Sequence, residues 1–122
     1  MNPETTKSKK MSVSDFFDAL AANEEFVFAV AHTNSFKKDV KLCYKQNLDL
    51  EELYNVIVKL AKREKLPDRN REHNLKGKKK KTDEEIKECH VLNDWILVWV
   101  EKEEEMILIF TDTGTHAYVL GM

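Results

Sequence analysis

Hydrophobic residues fall at helical spacing in the first half of the chain and in unbroken runs in the second. Phe36, Val40, Cys43 and Tyr44 stand at i, i+4, i+7 and i+8, one face of a helix that Asn34 or Ser35 would cap. A second stripe, Leu50, Leu53, Tyr54, Ile57, Leu60 and Ala61, follows Asp49, with Glu52 at capping-box spacing. Leu66-Pro67 ends this helix. A link of about four residues between the two helices predicts an antiparallel hairpin. Ahead of them, Ser14 would cap a short helix over 15–22 with Phe16, Phe17 and Leu20 on its apolar side. That piece is too short to stand alone and must dock in cis or on a partner.

The strand signals are different in kind. Residues 26–32 are short, apolar and partly β-branched or aromatic. Residues 68–83 are polar and read as a loop. Beyond them, 85–91 is a candidate strand, and 95–100 (WILVWV) is an apolar run that would be buried on both faces. A charged turn over 101–105 leads to a second central strand over 106–110. Thr113-Gly114-Thr115 would form a tight turn, with Gly114 free to take φ > 0, before a last strand over 116–120. The order predicts an α+β fold: a helical hairpin on one face of a mostly antiparallel four- to five-stranded sheet, with an extra N-terminal helix.

Composition narrows the class. The 122 residues suit one domain, and 42% apolar content supplies one core. Residues 1–12 read as a disordered tail. The 20 basic and 22 acidic residues leave a net charge of −2, which argues against a generally basic nucleic-acid coat but not against a local basic patch. Two cysteines, Cys43 and Cys89, make no disulfide framework. No apolar run reaches the roughly 18 residues of a membrane helix. The reading is a cytoplasmic domain with no membrane partner. Three glycines provide no phosphate loop or dinucleotide fingerprint, so no small-molecule cofactor is expected.

Chemistry is concentrated in histidine. His90 precedes Asp94 by four residues, and His116 follows the last predicted turn. In a meander these three would gather at one sheet end, with His73 arriving from the loop. Imidazole serves as base or acid near neutral pH. Cleavage of RNA by its own 2′-hydroxyl needs a base, an acid and positive charge at the phosphate. Lys76, Lys78, Lys79, Lys80 and Lys81 lie near His73 in sequence and would contact phosphate, although such a run alone is most often a solvated loop. The spacing Cys89-His90, Asp94, His116 matches no compact zinc pattern, so no metal is expected. Trp95 and Trp99 read as core.

Three blocks in order carry a resemblance: Glu72-His73-Asn74-Leu75-Lys76-Gly77, then Glu88-Cys89-His90-Val91-Leu92-Asn93-Asp94-Trp95, then Thr113-Gly114-Thr115-His116-Ala117. They resemble the YafQ branch of the RelE-type toxins of bacterial toxin–antitoxin modules. The resemblance covers roughly residues 26–121, including Ser35-Phe36-Lys37-Lys38-Asp39-Val40-Lys41 as the family's first helix, and implies a RelE-like toxin domain over 26–122 behind an N-terminal extension over 1–25. It further implies a metal-independent endoribonuclease that cuts mRNA in the ribosomal A site, leaves a 2′,3′-cyclic phosphate and is neutralised by a cognate antitoxin. The working residues would be His73, His90, Asp94 and His116, with His116 the acid. Asp94, with His90 or His73, would be the base or hold it. The family's base-stacking aromatic falls at Leu120, with Tyr118 two residues earlier on the same face of the expected strand. Where the family usually has Arg, this chain has Asp112. That departure supports an alternative, a RelE-fold binding or regulatory protein with weakened nuclease activity.

Overall fold

A computed structural model describes residues 10–74 and 84–121. Most of the expected tail, and Lys76 and Lys78 to Lys81, therefore lie outside the described residues. The order is α1 (Val13–Ala22), β1 (Ala29–His32), α2 (Asn34–Lys45), α3 (Leu50–Ala61), a 3-10 turn (Asp68–Asn70), β2 (His73–Asn74), β3 (Glu84–Leu92), β4 (Trp95–Lys102), β5 (Ile107–Thr115) and α4 (His116–Leu120).

Short polar side chains set the helix starts. Ser12, not Ser14, caps α1, its hydroxyl accepting from the Asp15 amide at 3.0 Å. Thr33, not Asn34 or Ser35, caps α2 by accepting from the Phe36 amide at 3.1 Å. Asp49 caps α3 as expected, though its carboxylate takes the Glu51 amide. α3 ends at Ala61, before Leu66-Pro67, because Arg63 turns left-handed at φ 63°. The Ala61 carbonyl then takes the amides of both Val27 and Phe28, which keeps those residues out of β1 and shortens the expected strand.

The sheet runs β1-β5-β4-β3-β2. β1 pairs with β5 in parallel, and the other pairings are antiparallel. Alternate strand residues Cys89 and Val91, Trp95, Leu97 and Trp99, and Leu108 and Phe110 meet Phe16, Phe36, Val40, Leu53 and Ile57 of the helices in one core. Helices α1, α2 and α3 thus cover one sheet face, and α1 docks in cis through the fully buried Phe16. Residues Trp95 through Trp99 are all buried, as the unbroken run predicts.

Two expectations at the end of the chain fail. Thr113, Gly114 and Thr115 continue β5 opposite Leu97, Ile96 and Trp95 and make no tight turn, although Gly114 does take φ 145°. Residues 116–120 form a helix, not a strand, because the Thr115 hydroxyl accepts from the Tyr118 amide and starts a turn. Tyr118 therefore does not share a strand face with Leu120.

Candidate active site

The pairing of Trp95 with Thr115 puts the turn at Asn93-Asp94 beside the first residue of α4. His116 occupies that position, and its Nδ1 lies 2.8 Å from Oδ1 of Asp94. His90 reaches the same place from β3, its ring centroid 5.0 Å from that of His116. The register shift between His90 and Leu92 and the left-handed Asn93 (φ 46°) bend the strand end, and Asn70 anchors it by donating to the His90 carbonyl at 2.6 Å. His73 arrives on β2, which pairs it with Glu88 of β3. The four expected residues therefore gather at one end of the sheet. The fourth histidine, His32, stands apart, packed on Phe17 at 4.6 Å.

The sequence reading missed Glu88. Its side chain is buried, with Oε1 3.0 Å from Nε2 of His73 and Oε2 3.4 Å from Nε2 of His116. The second contact lacks hydrogen-bond geometry, and Oε2 makes no hydrogen bond. The available signal was spacing: Glu88 and His90 are two apart on a strand and so share a face.

Hydrogen-bond partners assign proton positions. His90 Nδ1 faces the Asn93 carbonyl at 2.9 Å, an acceptor, so Nδ1 carries the hydrogen and Nε2 keeps a lone pair in the neutral ring. Both nitrogens of His116 face carboxylates, and both of His73 face acceptors, Glu88 and the Arg71 carbonyl at 2.8 Å. Carboxylates and carbonyls only accept, so each of these two rings has an acceptor at both nitrogens, where His90 has one. The imidazole that Asp94 contacts is that of His116.

A second carboxylate supports α4 from the other side. Buried Asp39 of α2 accepts from the Thr113 amide at 3.1 Å and from the Tyr118 hydroxyl at 2.8 Å. Desolvation pushes its pKa up, the two hydrogen bonds oppose this, and the charge of Asp112 adds to the rise. The bond to Asp39 raises Tyr118 in turn. Burial pushes Cys43 up to about 12 and also raises Cys89, so neither thiol is poised as a nucleophile. Among the described residues, no group of three or more His, Cys, Asp or Glu side chains is arranged to hold a metal ion.

Comparison with known proteins defines the class first. The sequence model of the bacterial toxins of type II toxin–antitoxin systems, YafQ, matches residues 28–121. The mRNA interferase toxin YafQ of Escherichia coli strain K12 is 32% identical over 93 residues, 75% of this chain and 95% of that protein. YafQ in the E. coli DinJ-YafQ toxin-antitoxin complex superposes with a TM-score of 0.66 at 30% identity, covering 75% of this chain and 96% of that one. A metal-bound toxin from Helicobacter pylori gives the same TM-score at 32% identity, with 73% and 94% covered. The protein belongs to the YafQ family of bacterial type II toxins.

Proposed function

We propose that the protein is an mRNA interferase that cleaves mRNA on the ribosome and is neutralised by a cognate antitoxin. The observation that carries this reading is the pair His90 and His116, with ring centroids 5.0 Å apart and opposite hydrogen-bond surroundings. The bare Nε2 of His90 takes the proton of the 2′-hydroxyl. The 2′-oxygen attacks the adjacent phosphorus, and the bond to the 5′-oxygen breaks. His116, held by Asp94, gives that oxygen its proton. The products are a 2′,3′-cyclic phosphate and a 5′-hydroxyl, with no redox step and no metal required. His73, paired with Glu88 across β2 and β3, borders the same site. Lys76, Lys78, Lys79, Lys80 and Lys81 are assigned to the RNA backbone. Leu120 and the exposed Tyr118 are assigned to the flanking base.

The DinJ-YafQ complex of the relative supports an antitoxin partner, and a ribosomal substrate implies a cytoplasmic setting. Because the family match starts at residue 28, residues 1–25 are read as an extension on a toxin domain over 26–122. No described helix is long and apolar enough to cross a membrane.

The test is cleavage of a defined A-site codon on programmed ribosomes, with the ends mapped. Cut mRNA with a 2′,3′-cyclic phosphate is expected. Intact mRNA across a panel of codons, from folded protein, would reject the reading. Asp112 favours a second reading, a RelE-fold binding protein with weakened activity. Asp112→Arg separates the two: cleavage that rises sharply supports weakened activity, and cleavage that stays level supports the nuclease as it stands.

A further inference from the structure

We propose that Glu88 is a positioning residue of this site, one buried anion that holds the imidazoles of His73 and His116 beside each other at the sheet end. The inference rests on the nuclease reading for its chemistry but on geometry for its existence. Glu88 is 3% exposed, whereas Glu84 and Glu85 of the same strand are only half-buried. A carboxylate is almost never fully buried unless it is paired, because desolvation of the charge is unfavourable. Among the described residues, no Lys or Arg pairs with Glu88; its charge contacts are the two imidazoles, at 3.0 and 3.4 Å. Its Oε2 is fully buried yet accepts no hydrogen bond, and it is the atom aimed at His116.

The two segments it joins are short. β2 contributes only two paired residues, and α4 is five residues long. Glu88 sits on the long strand β3 between them, in line with His90. The charged and titratable groups around this centre include His73 from β2, His90 from β3, Asp94 from the turn and His116 from α4, and Asp112 of β5 stands in the register row of Glu88, across Val98. Glu88 has a second effect on the reaction. His116 stands between two carboxylates, Asp94 and Glu88, so Glu88 acts through His116 and never touches the RNA.

The test is Glu88→Gln, which keeps shape and removes charge. Expected is a fall in single-turnover cleavage of at least about tenfold, a part of the effect that proton transfer supplies. The half-saturating ribosome concentration should not change. The falling limb of the pH–rate profile should move to lower pH, because His116 loses a neighbouring anion. A substrate with sulfur at the 5′-bridging position leaves without a proton, and should relieve Glu88→Gln and His116→Ala alike. A merely structural defect is not relieved by sulfur. A second arm needs no activity: NMR titration of the His73 and His116 rings, expected to lose protons at lower pH in Glu88→Gln. Unchanged titrations, or parent-like cleavage and pH profile, would overturn the proposal. If the parent itself leaves mRNA intact, the nuclease reading fails while the titration arm still decides on Glu88. Should Glu88→Gln not fold, Glu88→Asp draws the charge back by one methylene; slower cleavage with sulfur relief supports the proposal, and a parent-like rate rejects it.

Discussion

Asp39 and Glu88 are both buried carboxylates that reach the segment around α4, and they are held in opposite ways. Asp39 takes a backbone N–H and a phenol O–H, two neutral donors that stay donors across the working pH range. Glu88 faces two imidazoles, side chains that can take up or give a proton. The first arrangement fixes where α4 lies. The second ties the charge of one residue to the proton of another. The difference between the two partner sets is therefore a guide to role: burial alone marks both residues, and only the chemistry of the partners separates anchor from machinery.

The sharpest way to break this contrast is His116→Ala. Cleavage should fall on the order of 10²-fold or more while the thermal midpoint stays near that of the parent. A comparable loss of stability would place His116 with the anchors. Next in size is Asp39→Ala, which strands the Thr113 amide in the core. It should cost about 1–3 kcal/mol in urea denaturation. Tyr118→Phe removes one bond from a half-exposed side chain and should cost at most about 1 kcal/mol. Faster amide exchange confined to α4 would be its signature.

The smallest effect is a slope. Folding raises Asp39 above its ordinary 3.8, so the folded chain binds this proton more tightly than the unfolded chain. That contribution to stability is complete below the unfolded value and is lost as pH rises through the raised one. The parent should thus lose stability relative to Asp39→Asn on going from about pH 4 upward. Parallel curves in denaturation measured across that range would show that Asp39 does not titrate differently on folding.

Much of this was legible in advance where one physical signal dominated. The run from Trp95 to Trp99 could only be a buried strand, and the stripe through Leu50, Leu53, Ile57 and Leu60 could only be one helix face. Val56 was absent from that stripe although it is buried, and Tyr54 was included although it is only partly so. Residues 116–120 form a helix where a strand is expected, because five residues carry too little periodicity to tell helix from strand. The Thr115 cap decides it, and a threonine before a histidine looks the same in either case. That His73, His90, Asp94 and His116 lie together is legible from their residue types and their places in a meander. Glu88 is not, since a glutamate in a charged chain carries no mark of its burial; pairing with His73 across β2 creates it.

The parallel pairing of β1 with β5 joins Ala29 to Ile107 and His32 to Phe110. Contacts between residues so far apart in the chain close large loops and slow folding. During synthesis, α1, β1, α2 and α3 emerge well before the strand that completes the sheet beside them. Phe36 waits for Phe110, and Asp39 waits for both Thr113 and Tyr118. A nascent chain halted short of β5 carries a helical layer with its apolar side uncovered, and three histidines without the fourth.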